Sequence, residues 1–422
     1  MLGDIIFYKK DYFRYFSIVF LLYSVSISVS SVFGLPILFY RLSTSLLSLL
    51  SLFIIIKNLD TTDASPIVYW LFALTLSWYG IIVLRGLSLD PRILARLFVS
   101  PTFFLPFVAI VFLYINKDIS FIRVLFKIIV VYDIFFICLV LFGARAVFDD
   151  VNNYEAISKQ LAFPNCFLLL CYAYQKRRIK IWTLFIFLVC FITVLFLARR
   201  NQIFTLGLFA FMALMLHIFY FYRRYIIRNA LIIFLVVVVL VGGYQKYASD
   251  LFSTFSLLVE RIDANTRQVV EDCLYEDMKP LDYVIGKGMA AKYYCPSIDY
   301  NEGESDKRTE EEKDYRMDIE TGYLNIILKG GIISLMLFAL FCLSAIVKGL
   351  FFSKNGFVKA CALLVLVNML GISIESNQAF SLRYLLVWIC IGCCFSKRIN
   401  SYSDAEIEFE IKGDNLLKYG KL

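Results

Sequence analysis

Residues 181–221 read IWTLFIFLVCFITVLFLARRNQIFTLGLFAFMALMLHIFYF. Two apolar runs, 181–197 and 202–221, flank the polar turn Ala198-Arg199-Arg200-Asn201-Gln202. About 20 apolar helical residues match the ~30 Å hydrocarbon core of a bilayer. The stretch therefore predicts two spanning helices joined by a tight turn that carries two adjacent arginines.

Working outward, the same pattern recurs. Apolar runs fall at 15–22 (extending to about 34 through a Ser-rich half), 42–56, 67–84, 98–115, 121–142, 161–174, 181–197, 202–221, 229–243, 322–347, 357–374 and 381–396. The count is twelve, with eleven as the alternative because the sixth run is short and the first is polar. Composition agrees. Of 422 residues 60% are hydrophobic and 18% charged, and the mean hydropathy is +0.74. Soluble domains hold about 45–50% apolar and 25% charged residues, and single cores stop growing near ~250–300 residues. A soluble enzyme, a secreted disulfide scaffold and a disordered tail protein are excluded on these grounds. The fold class expected is an all-α polytopic membrane protein. Two acids precede the first run and no clean cleavage site follows it, so it does not read as a cleavable signal peptide.

Charge divides the chain. Residues 244–320 carry 18 acids and 10 bases, and the remainder carries 16 acids and 32 bases. The bases sit between apolar runs, which reads as membrane flanks rather than a nucleic-acid surface. With the N-terminus inside, the inner gaps receive Lys57, Lys117, the Lys176-Arg177-Arg178-Lys180 cluster, Arg223, Arg224, Lys348, Lys354, Lys397 and Arg398. The short outer gaps receive fewer, among them Arg85, Lys159, Arg199, Arg200 and Arg383. This bias predicts cytoplasmic termini. The domains expected are spans one to nine over 1–243, an extracytoplasmic loop over 244–320, spans ten to twelve over 321–398, and a polar, disordered cytoplasmic tail over 399–422.

Local signals add detail. Asp63-Ala64-Ser65-Pro66 is a helix start. Pro101 and Pro106 predict a kink in the fourth run, and Gly330-Gly331 permits close helix approach. Nine of eleven Cys lie in apolar runs and act as small hydrophobes. The exceptions, Cys273 and Cys295, are expected to pair as a disulfide if the loop faces an oxidising compartment. His217 reads as an interfacial residue. One His and scattered acids make no metal set, and no nucleotide-binding loop is visible.

Three places break membrane rules on the expected outer face. Arg199 and Arg200 oppose the orientation bias. Arg forks suit pyrophosphate, although a pair reaching outer headgroups is an equal reading. The loop carries Arg261, Arg267 and the turn Ile285-Gly286-Lys287-Gly288. Glu320-Thr321-Gly322-Tyr323-Leu324-Asn325 opens the tenth run. Asp133, and Glu375 with Arg383, are further polar candidates, the last two read as a structural ion pair.

With these motifs in this order, the chain resembles the bacterial O-antigen polymerase and O-antigen ligase superfamily. The Arg199-Arg200 turn, the loop arginine Arg267 followed by Gly286-Lys287-Gly288, and the Glu320 to Gly331 stretch are similar to its motifs. Ligases open the last motif with His; here the position is Glu320, which favours a polymerase. The resemblance implies a membrane glycosyltransferase like those of the GT-C class. It would transfer a glycan from undecaprenyl pyrophosphate to a sugar hydroxyl on another lipid-linked repeat unit at the outer face of the bacterial plasma membrane. It implies inversion, no metal and no cofactor. Its partners would be the lipid-linked oligosaccharide, the bilayer and a chain-length regulator, with no nucleic acid.

The roles expected are Arg200 and Arg267 against the pyrophosphate and Glu320 as general base. Arg199, Arg261, Tyr323, Asn325, Gly286 and Gly288 would bind substrate, with Tyr-rich loop segments covering it. An O-antigen ligase, and a flippase for lipid-linked sugars, are the alternatives.

Overall fold

The computed structural model describes residues 12–33, 36–57, 59–87, 94, 100, 102–145, 151–197, 199–221, 266–296, 314–376 and 379–412. The ninth run, 229–243, and Arg261 lie outside the described residues.

The elements are helices in sequence: α1 Tyr12–Phe33, α2 Ile37–Ile56, α3 Pro66–Arg85, α4 Leu105–Val108, α5 Ile119–Phe142, α6 Val151–Ile157, α7 Asn165–Leu170, α8 Arg177–Phe196, α9 Arg200–Leu216, α10 Thr266–Asp277, α11 Pro280–Ile285, α12 Gly322–Val347, α13 Gly356–Gly371, α14 Leu382–Phe395, α15 Lys397–Ser401 and α16 Asp404–Lys412. The β structure among the described residues is one antiparallel pair, β1 Tyr293–Tyr294 with β2 Tyr315–Arg316, and an isolated bridge between Leu59 and Ile115. Among the described residues, six helical segments are long and apolar enough to cross a membrane: Tyr12–Phe33, Pro66–Arg85, Ile119–Phe142, Arg177–Phe196, Arg200–Phe221 and Gly322–Phe352. Tyr40–Ile56, Gly356–Gly371 and Leu382–Phe395 are apolar but shorter. Large apolar side chains such as Ile67, Trp70, Leu50 and Phe142 point outward. Such a surface belongs in lipid, because soluble proteins rarely leave apolar patches this extensive.

Capping fixes where the helices start. Asp118 accepts the Phe121 amide at 2.9 Å, Asn355 that of Val358 at 2.9 Å, and Ser381 that of Tyr384 at 3.3 Å. Each such cap contributes about 1 kcal/mol. α3 begins at Pro66 as the sequence indicates. Asp63, however, serves another helix: it accepts from the Ser396 hydroxyl and from the Arg398 amide at 2.9 Å, at the start of α15.

The described polar contacts gather at two ends of the bundle. At one, Arg398 meets Asp60 at 3.1 Å, and the Lys348 ammonium donates to the Phe395 carbonyl at 3.1 Å. Asp404 also belongs to this end. At the other end lie Lys159, Arg199, Arg267 and Glu375. Aromatic packing fills the space between, with Phe20 and Tyr23 against Phe380 and with Phe338 and Phe341 around the fully buried Trp388.

Two expectations are corrected and a third is extended. The fourth run is not one kinked α-helix among the described residues. α4 is four residues long and passes into a buried 3-10 segment, Ala109–Tyr114. Pro106 lacks an amide for the ladder, and the tighter winding follows it.

The tail from Asn400 is not disordered throughout. α16 docks through Asp404, which accepts from Tyr174 at 2.5 Å, Tyr220 at 2.7 Å and the Gly356 amide at 2.7 Å.

Gly330-Gly331 does more than allow close approach. Gly331 has φ +70° and breaks α12 internally. A Cβ there would run into the Val284 carbonyl.

Candidate functional site

The loop residues that follow position 266 form a small layer over the Arg267 end. Val270, Leu274, Met278, Tyr293, Ile319 and Leu328 make its apolar core. Gly286 and Gly288, at φ +69° and +96°, let the turn lie flat on the α12 break. The Lys287 and Gly288 amides donate to the Leu328 and Lys329 carbonyls at 2.8 and 2.9 Å. Arg85 clamps the same turn, donating to the Ile285 and Gly286 carbonyls at 2.8 and 2.7 Å. Both glycines thus pack against the scaffold. Lys329 lies beneath, 2% exposed, with its ammonium 2.5 Å from Asp318 and 3.0 Å from the Thr102 carbonyl.

α10 ends over Cys295. The Cys273 and Cys295 sulfurs stand 2.7 Å apart, nearer than two unbonded thiols pack and longer than the ~2.05 Å of a formed bond.

Charges converge beside this layer. Arg267, at the start of α10, has its Nε 3.3 Å from a Glu320 carboxylate oxygen and donates through Nη1 to the Ile374 carbonyl at 2.8 Å. Next to Ile374 stands Glu375, 7% exposed. Lys159 ion-pairs with both Glu375 and Glu155, and Arg199 reaches Glu155 at 3.1 Å. Arg383 lies 3.8 Å from the other Glu375 oxygen and 4.3 Å above the Phe163 ring. One connected array therefore runs from Arg199 through Glu155, Lys159 and Glu375 to Arg383, with Arg267 and Glu320 at its rim. Burial pushes the Glu375 carboxyl up. The Lys159 and Arg383 charges and the Lys159 hydrogen bond outweigh it, and the group stays below its ordinary value. Arg383 is 6% exposed, and its Nη1 and Nη2 have no hydrogen-bond partner among the described residues. A buried guanidinium in that condition is costly unless an acceptor reaches it.

The residues singled out from sequence fall as follows. Arg199, Arg267 and Glu320 join the array. Arg200 is exposed at the first turn of α9, beside Arg199. Tyr323 and Asn325 sit on the first turn of α12. The Tyr323 amide donates to Ile372, and the Asn325 side chain to Ser376 at 2.9 Å. Both therefore tie α12 to the 372–376 turn. Thr321 donates to Glu271. Lys159 and Glu155 were not singled out. The available signal was Lys159 itself, a base in a short gap on the disfavoured side. Glu375 and Arg383 are paired as expected, but they share the acid with Lys159. Asp133 is fully buried on α5.

Compared with family models, with curated proteins and with solved structures, the chain has no match in any of the three.

Proposed function

We propose that this chain is a membrane polysaccharide polymerase, resembling O-antigen polymerases, with GT-C-like architecture, twelve spans and cytoplasmic termini. It transfers a glycan from undecaprenyl pyrophosphate to the sugar hydroxyl of another lipid-linked repeat unit at the outer face of a bacterial plasma membrane. The observation that carries this reading is the convergence of four basic side chains, Arg199, Lys159, Arg267 and Arg383, on one end of the bundle beside the half-exposed Glu320. These groups come from four separate stretches of sequence. A lipid diphosphate held at headgroup level needs such a set of donors, because its charge grows as the glycosidic bond breaks.

In this mechanism the acceptor hydroxyl oxygen attacks the anomeric carbon. Its proton passes to the Glu320 carboxylate. The bond to the pyrophosphate oxygen breaks, and its electron pair leaves on the diphosphate facing Arg200, Arg199 and Arg267. Direct attack inverts the anomeric carbon. Arg383, with two nitrogens lacking a hydrogen-bond partner among the described residues, adds a buried donor to the same set.

Phe221 packs on Tyr174 near Asp404, whereas Arg267 reaches Ile374 at the opposite end. A chain-length regulator would bind from outside the array.

The test is a glycan gel from cells that depend on this gene for polymer. Arg200→Ala should leave single repeat units on the acceptor, with the protein still in the membrane. Long chains stranded on the carrier lipid would instead indicate an O-antigen ligase. A wild-type ladder from Arg200→Ala, Arg267→Ala and Glu320→Gln alike would remove the catalytic reading.

A further inference from the structure

A cavity of about 550 Å³ opens at the Asp404 end, between α5, the start of α8 and α16. Its lining includes Arg123, Lys127, Lys176 and Lys412, and no acid. Two acids on α16 touch these cations from behind. Glu410 pairs with Arg123 at 3.1 Å, and Glu408 pairs with Lys412. Four positive charges therefore face two negative ones, and Lys180 stands close by at 5.1 Å from the Tyr172 ring.

The order of residues along α5 is informative. Arg123, Lys127 and Val131 lie at successive i, i+4 positions, and so do Phe126 and Val130, so these side chains stack on neighbouring lines of one face. Charge occupies the second and third turns, and apolar surface follows deeper along the same helix. Ile179 of α8 continues the apolar wall. Phosphate at the mouth with hydrocarbon along the helix is the layout of a phospholipid. A soluble phosphate compound would have no use for the apolar floor. The third wall is built rather than accidental, because α16 is held by the three donors to Asp404 and by the buried Ile407.

We propose that this cavity is a specific site for an anionic phospholipid of the adjacent leaflet, its phosphate held among Arg123, Lys127 and Lys176 and an acyl chain lying along Val130, Val131 and Ile179. Basic pockets between spans recognise such headgroups. The site stands whatever reaction the opposite end performs. By docking against Ile411 and Lys412, the lipid would also hold α16 in place.

Full-length protein in detergent is mixed with phosphatidylglycerol, with phosphatidylcholine or with inorganic phosphate, and bound lipid is read by native mass spectrometry alongside thermal stability. Phosphatidylglycerol is expected to be retained and to raise the melting temperature, with the other two doing neither. Lys127→Gln and Lys176→Gln, both at exposed positions, should each weaken retention about fivefold. A control pair at the same end outside the cavity, Lys57→Gln with Lys354→Gln, should leave it unchanged. Equal retention of the two lipids overturns the proposal, as does stabilisation by inorganic phosphate alone. The same holds for an equal loss in the control pair, which would reduce the effect to general surface attraction.

Discussion

The Arg267 guanidinium stands 3.3 Å from the Glu320 carboxylate while also holding the Ile374 carbonyl, so a loop helix is fastened to two separate turns at the same end of the bundle. Glu320 is 64% exposed at its side chain. An ion pair that open contributes about 0–1 kcal/mol to stability. Any large effect of breaking it must therefore come from chemistry. Under the proposed function, Arg267→Ala and Glu320→Gln are each expected to shift the melting temperature little and to lower polymer synthesis about 100-fold or more. The reversed pair, Arg267→Glu with Glu320→Arg, should restore the contact without restoring synthesis. Recovery of activity in the reversed pair would assign the two residues a purely structural role.

Glu375 behaves differently, because it is buried between Lys159 and Arg383. Glu375→Gln leaves Arg383 enclosed without an acid, and about 3 kcal/mol of stability should be lost at neutral pH. Thermal unfolding of the purified variant in detergent measures this directly. An unchanged melting temperature would mean that Lys159 and Arg383 are accommodated by other groups.

The same carboxylate sets a pH dependence. Its folded value is lowered, so its contribution is complete above the ordinary Glu pKa of about 4.3 and is lost as the pH falls through the folded value. The gap in melting temperature between wild type and Glu375→Gln should be constant from pH 8 to 5 and close only in stronger acid. A gap that widens as the pH falls would contradict the arrangement.

Cys273 and Cys295 give a prediction that needs no activity. With their sulfurs in contact, protein isolated without reductant should yield no alkylated loop thiol, and reduction should expose two. Quantitative labelling of both residues before reduction would show that the pair is not oxidised in the cell.

The helix break at Gly331 should tolerate no side chain. Gly331→Ala combines a positive φ with a clash on the Val284 carbonyl. A cost of at least 1 kcal/mol is expected, seen as a lower melting temperature. Gly207→Ala, inside α9 with open space around the added carbon, serves as the control and should not lower the melting temperature.

The spans at 119–142 and 177–196 were legible because length and hydropathy are properties of one continuous stretch. The 98–115 run was not, since apolar composition alone does not reveal that Pro106 will turn the ladder into a 3-10 segment. The pair of Glu375 with Arg383 could be read from two charges at the mouths of neighbouring spans. The sharing of Glu375 with Lys159 could not, because that contact joins residues more than 200 positions apart. Asp404 looked like one acid in a polar tail. Its three donors come from Tyr174, Tyr220 and Gly356, and only the packed bundle brings them together.

The Gly286–Gly288 turn is sewn by its own amides into the gap in α12 and clamped from behind by Arg85. That stitching makes residues 280–296 a fixed parapet rather than a flap. Under the proposed function, a growing sugar chain would have to slide along this wall, and its greasy carrier would have to come in sideways from the bilayer.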